Sequence, residues 1–179
     1  MSIPLPGDPP AAERLARMIR VDHAGEFGAA QIYSGQLAVL GRGPKGDILR
    51  HMKDQEQHHL DTFAGLIADR RVRPTALLPL WRLAGFALGA VTAAMGERAA
   101  MACTVAVEEA IDEHYQQQTA ELGDEEAKLR DTIEEFRAEE LEHRDIGLAH
   151  EAELAPAYQL LRRVIKAGCK VAIAVSERV

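Results

Sequence analysis

Cysteine is scarce in this chain of 179 residues: Cys103 and Cys169 are the only two, and no C-x-x-C spacing occurs. That excludes a disulfide framework and a C-x-x-C redox or metal motif; both sit in apolar contexts and read as buried free thiols of a reducing compartment. Positive charge is also short. The formal net charge is −7, and no arginine/lysine stripe with interleaved aromatics occurs, which excludes a nucleic-acid surface. Met1 to Pro10 lacks the charged-then-apolar pattern of a signal peptide and the arginine content of a transit peptide. The expectation is an intracellular bacterial protein or one from which a presequence has been removed. Strands are missing too, since no segment alternates convincingly.

What is present is helical. Apolar residues make up 47% and charged residues 27%, a globular balance, and the length suits one domain. Residues 1–10 read as a flexible arm and residues 11–179 as a single domain. Asp8-Pro9-Pro10 looks like a helix start, with a helix running to about Leu40. Further helices are expected over about Asp47–Arg71, Leu77–Met95, Glu97–Leu122, Glu125–Glu151 and Pro156–Ser176, with Gly123-Asp124 as turn and cap. Residues 41–46 formally match G-x-G-x-x-G, but they join two helices and place Pro44, which lacks an N–H, in the loop. A dinucleotide fingerprint must follow a strand, so it is excluded.

Cutting the chain near residue 97 reveals an internal repeat, 11–96 and 97–179. Glu26, Tyr33 and Gln36 recur at the same offsets as Glu108, Tyr115 and Gln118. Glu56-x-x-His59-x-Asp61 recurs as Glu140-x-x-His143-x-Asp145, and each half closes on an apolar helix. Two helix–helix–apolar-helix units about a pseudo-twofold axis are expected.

Positions i, i+3, i+4 and i+7 share a helix face. The stripe through Glu26 contains Ile19, Asp22, Ala29, Tyr33 and Leu37; that through Glu56 contains Met52, His59, Phe63 and Leu66. Met101, Thr104, Ile111 and Tyr115 surround Glu108, and Leu129, Ile133, Phe136 and His143 accompany Glu140. Acids therefore sit within four apolar stripes. A bare buried carboxylate costs several kcal/mol or takes up a proton, so four at one level require cations. The level matches: Glu26 lies 17 residues before Gly43, and Glu56 and His59 lie 13 and 16 after it. Glu108 lies 15 before Gly123, with Glu140 and His143 17 and 20 beyond.

One Glu from each of two helices plus Glu-x-x-His from each of the other two is the ligand set of ferritin-like di-iron and di-manganese bundles. The candidate metal ligands are Glu26, Glu56, His59, Glu108, Glu140 and His143, and four carboxylates balance two divalent irons. Glu109 and Glu139 adjoin this set, but only Glu140 repeats the i, i+3 pairing of Glu56 with His59. Asp22, His114, Tyr33 and Tyr115 are candidates for orienting ligands or relaying protons, with plain core packing the alternative for the tyrosines. His58 reads as a solvated neighbour, and His23, His51 and His150 have no evident role.

Two apolar helices remain. Leu83–Met95 has no charge and carries Gly85-x-x-x-Gly89, a close-packing face, while Pro156–Ser176 mixes Arg162, Arg163, Lys166 and Lys170 with aliphatics. The basic last helix suits an anionic bilayer surface, and both are read as lying on a membrane and admitting an apolar substrate, with simple cover for the bundle as the alternative.

Several segments resemble one family, the demethoxyubiquinone hydroxylases, di-iron monooxygenases of ubiquinone biosynthesis. They are Arg20 to Glu26, Asp54-Gln55-Glu56 with His59, Gly85 to Ala90, Met101 to Glu109, Glu139 to His143, and Ala152 to Tyr158. The family's iron ligands fall on the same six residues. The resemblance implies a peripheral enzyme at the cytoplasmic face of a bacterial inner membrane, or at the mitochondrial inner membrane in a eukaryotic source. Its substrate would be the ring of a polyprenyl methoxy-benzoquinol, its co-substrate O2, and its electrons would come from NADH or through the quinone. A lipid-binding partner protein is also implied. The rival expectations are a quinol oxidase that makes only water, and an iron-storage bundle.

Overall fold

The computed structural model describes residues 9–179. The arm expected over 1–10 and the cap expected at Asp8 therefore fall largely outside the described residues. Six helices follow in order: α1 (Ala11–Leu40), α2 (Pro44–Asp69), α3 (Leu78–Ala94), α4 (Glu97–Glu121), α5 (Ala127–Ala149) and α6 (Tyr158–Ser176). No strand occurs among the described residues.

The helix ends follow from local chemistry. Gly43 takes φ 79°, a left-handed value, and Pro44 starts α2 in its first turn, three residues earlier than the expected Asp47. A Cβ on Gly46 would collide with the Gly41 carbonyl, so the glycine-rich hexapeptide is a tight helical hairpin. Asp124 does not cap α5. It opens a 3-10 turn over Asp124–Glu126, and α5 starts at Ala127 without a side-chain cap. Likewise α6 starts at Tyr158, not Pro156. Pro156 holds Ala155 extended, and Ala157 turns left-handed (φ 53°) to redirect the chain.

Helices α1 and α2 form one antiparallel hairpin and α4 and α5 the other, and together they make the four-helix bundle. Helix α3 folds back along α1 and reaches α4, while α6 folds back along α4 and reaches α1. This is the expected pseudo-twofold repeat. At the α1–α3 seam a Cβ on Gly89 would overlap the Ile32 carbonyl, and one on Gly35 would overlap that of Phe86. The Gly85-x-x-x-Gly89 face thus serves backbone-to-backbone packing within the chain.

Two apolar layers lie within the bundle, and a third cluster around Ile32, Cys103, Val107 and Ile165 joins it to α6. Tyr33, Leu49, Met52, Met101 and Val105 fill one layer, and Ile19, Phe63, Leu129, Ile133 and Phe136 the other. Each such side chain contributes roughly 1.5–3 kcal/mol by leaving water. Between the layers lie the acidic residues of all four bundle helices. On the outside, α3 exposes Leu80, Leu83, Phe86, Val91 and Met95, and α6 exposes Leu160, Val164, Val171 and Val175. Among the described residues no helix is long and apolar enough to cross a membrane.

The basic residues of α6 mostly do not point outward as a lipid-binding face would require. Arg162 pairs with Glu109 at 2.6 Å, Lys166 with Glu113 at 2.6 Å, and Lys170 with Glu113 at 3.0 Å. They join α6 to α4, and the outward face is mainly aliphatic, with Arg163 exposed beside Leu160 and Val164.

Candidate metal centre

Glu26 on α1, Glu56 and His59 on α2, Glu108 on α4, and Glu140 and His143 on α5 all lie at one level, each 0–1% exposed. Their ligand atoms form two groups, Glu26–Glu56–His59–Glu140 and Glu56–Glu108–Glu140–His143, each with its atoms within 4.8 Å of one another. Glu56 and Glu140 belong to both groups. All six expected residues are brought together.

The free lone pairs are unevenly distributed among the glutamates. Both oxygens of Glu56 and both of Glu140 lack a hydrogen-bond partner. Glu26 and Glu108 each leave only Oε2 free, because Oε1 accepts a tyrosine hydroxyl: Tyr115 for Glu26, and Tyr33, at 2.7 Å, for Glu108. Glu56 and Glu140 can each offer two oxygens to a metal pair, and Glu26 and Glu108 one each. The imidazoles match. Nδ1 of His59 lies 3.3 Å from Glu26 and 3.2 Å from Glu140, and Nδ1 of His143 lies 3.2 Å from Glu56 and 3.3 Å from Glu140, without hydrogen-bond geometry. Unpaired buried polar atoms cost about 1–3 kcal/mol each, so a site with this many is built for cations. Hard carboxylates with two imidazoles fit a pair of irons.

The far nitrogens are held from the opposite half. Nε2 of His59 donates to Glu139 at 2.6 Å, and Nε2 of His143 donates to Gln55 at 3.0 Å. This fixes the tautomer that leaves Nδ1 for metal. Neither role was read from the sequence, although a signal existed: Gln55 and Glu139 stand at the same repeat position, one residue ahead of each Glu-x-x-His. Glu109 faces away, bound to Arg162 and Lys166.

Of the expected supporting residues, Tyr33 and Tyr115 touch ligands directly. Asp22 and His114 do not; they sit behind Tyr115, 3.4 Å apart, with Gln118 donating to Asp22 at 2.7 Å. His58 is exposed, and His150 meets Lys45 at 2.7 Å.

Burial pushes the carboxyls of Glu26, Glu56 and Glu108 up, and the Glu140 charge adds to each. Burial acts on Glu140 too, but the adjacent His143 and His59 hold it down to about 2. Burial opposes protonation of His59, yet Glu140 and Glu26 raise it to about 12. Protons and metal therefore compete for one set of atoms. Burial and nearby carboxylates push both tyrosine phenols well above 10, keeping them as donors.

Behind the centre, α1, α3, α4 and α6 enclose an apolar cavity of about 400 Å³. Its wall includes Gly25, next to Glu26, and Val107, next to Glu108, and α3 and α6 flank it. Trp81 Nε1 donates to Ser176 Oγ at 2.9 Å and ties those two helices together.

Comparison with known proteins agrees with this architecture. The chain is 62% identical over 176 residues to "3-demethoxyubiquinol 3-hydroxylase" of Rhodospirillum rubrum, covering 98% of this chain and 83% of that protein. It is 57% identical over 166 residues to the human "NADPH-dependent 3-demethoxyubiquinone 3-hydroxylase, mitochondrial", covering 90% and 76%. With "5-demethoxyubiquinone hydroxylase, mitochondrial" of Saccharomyces cerevisiae the identity is 45% over 182 residues, covering 92% and 78%. Residues 13–176 match the family described as "Ubiquinone biosynthesis protein COQ7", and the chain belongs to that family of di-iron enzymes.

Proposed function

We propose that Glu26, Glu56, His59, Glu108, Glu140 and His143 hold two irons with which the chain hydroxylates the ring of a polyprenyl demethoxyubiquinol. The observation that carries this is the division of free lone pairs, two on each of the shared glutamates and one on each of the others. Glu26, Glu56, His59 and Glu140 would hold one iron, and Glu56, Glu108, Glu140 and His143 the other. When bound, the reduced metals supply electrons to dioxygen, so that one oxygen atom enters the ring and the other leaves as water. The reductant in this reading is a reduced nicotinamide, with NADPH named for the human relative where the sequence resemblance suggested NADH.

The protein's own groups do the positioning. Tyr33 and Tyr115 hold Glu108 and Glu26 by one oxygen and keep the other directed inward. The apolar layers above and below exclude water. The cavity of about 400 Å³ lies in the size range of small-molecule sites and would take the first part of the prenyl tail. The exposed aliphatic faces of α3 and α6 flank it and suit peripheral adhesion to the membrane that carries the quinol. We place this at the cytoplasmic face of a bacterial inner membrane, or at the mitochondrial inner membrane in a eukaryotic source.

The test is turnover. Iron-loaded protein incubated with a prenylated demethoxyquinone, reductant and air should yield a quinone one oxygen atom heavier by mass spectrometry, and Glu140→Gln should yield none. Consumption of oxygen with the quinone mass unchanged would replace this proposal with a quinol oxidase.

A further inference from the structure

The pseudo-twofold axis pairs like with like around the centre: Glu26 with Glu108, His59 with His143, Tyr33 with Tyr115. It fails one layer out. Glu139 and Gln55 occupy equivalent positions, yet His59 donates to a carboxylate at 2.6 Å and His143 to a neutral amide oxygen at 3.0 Å. A hydrogen bond to an anion is shorter and roughly twice as strong as a neutral one, and it raises the donor strength of the imidazole nitrogen that faces the metal. A second difference has the same sense. Gln118 contacts the Asp22 carboxylate on the Glu26 side, whereas its counterpart Gln36 contacts the Thr104 hydroxyl and the Ala100 carbonyl. His114, 3.4 Å from Asp22, offsets part of that charge, so Glu139 is the principal source of the asymmetry.

We infer that the two metal positions are unequal, that the one served by Glu26 and His59 takes ferrous iron first and more tightly, and that Glu139 is the positioning residue responsible. This rests on the six-residue assignment above.

Anaerobic titration of the metal-free protein with ferrous iron, followed by calorimetry, tests it. Wild type should bind in two steps separated by about 10- to 100-fold, the range typical of second-layer partners of metal ligands. At one equivalent of ⁵⁷Fe, one Mössbauer doublet should dominate. His143→Ala should keep the tight step and His59→Ala should lose it. Glu139→Gln should merge the two steps by weakening the first. Gln55→Glu should merge them by strengthening the second, which a damaged fold would not do. The double swap should restore two steps, with the order of filling reversed. Two equal steps in wild type, or separate steps unmoved by both single changes, would overturn this inference and leave the metal site standing. Absence of any iron binding would overturn both.

Discussion

Replacing Glu56 by Gln should make the metal-free protein more stable while destroying its metal site. Glu56 is fully buried with both oxygens unpaired, and burial, followed by the charges of Glu140 and Glu26, pushes its carboxyl well above 4.5. Burial therefore favours the protonated form of this carboxyl in the metal-free fold. Binding that proton on folding costs roughly 1.4 kcal/mol for each pH unit from the unfolded value up to the folded one. Glutamine has the same shape and no such cost, and the unpaired polar atoms are common to both. A gain of about 1–3 kcal/mol corresponds to about 2–12 °C in Tm for a chain of this size. Circular dichroism melts of both proteins, with and without iron, give the readout. Metal-free Glu56→Gln should melt above metal-free wild type. Iron should raise the wild-type Tm and leave the variant's unchanged, with the variant's iron content well below the two per chain expected of wild type. A metal-free variant that melts lower, or one that keeps its full iron, would show that Glu56 is a packing residue and not a ligand.

Three other outcomes are expected. The folded values of Glu26, Glu56 and Glu108 lie above 4.5, so the metal-free fold binds more protons than the unfolded chain. Their contribution to stability should be full below the unfolded value and fall as pH rises, whereas Glu140 costs stability only below 4.5; urea unfolding at about pH 5 and about pH 8 should show the loss, and iron should abolish it. Gly168 lines the cavity and a Cβ there meets nothing within 4 Å, so Gly168→Leu should narrow the cavity with no backbone clash at Cβ. Displacing about two methylenes of tail costs about 1.6 kcal/mol, and KM for a prenylated quinone should rise about tenfold with iron content and Tm maintained. Because α6 pairs Arg162, Lys166 and Lys170 with Glu109 and Glu113 and leaves Arg163 as its one unpaired cation among the described residues, anionic vesicles should add little to sedimentation with neutral ones, and binding should be largely resistant to salt. Leu83→Glu with Val164→Glu should abolish it, and binding confined to anionic vesicles would contradict the apolar face.

The bundle and its centre were legible because buried charge is rare enough to stand out. Glu26, Glu56, Glu108 and Glu140 interrupt apolar stripes, and only cations at a shared level rationalise that. Duplication supplied the check, since the same offsets occur twice. What was not legible depends on rotation about the helix axis and on contacts between halves. Gln55 and Glu139 each act on the histidine of the opposite half, a relation that no spacing within one helix reveals. The basic residues of α6 suggested an anionic membrane from composition alone, whereas their direction, toward Glu109 and Glu113 on α4, needed the packing of the two helices. Helix starts were misplaced where backbone strain decides them: Ala157 adopts a left-handed conformation that an alanine does not advertise. The Gly85-x-x-x-Gly89 face was visible as a packing motif, but its partner, the backbone of α1 at Ile32, was not.

The origin of the oxygen atom in the product tests the central claim most directly. Iron-loaded protein should be supplied with a prenylated demethoxyquinone, reduced nicotinamide and ¹⁸O₂ in ordinary water, and in parallel with ordinary dioxygen in H₂¹⁸O. The account predicts one labelled atom in the quinone ring in the first case and none in the second. Label arriving from water, or dioxygen consumed with no label in the ring, would contradict it.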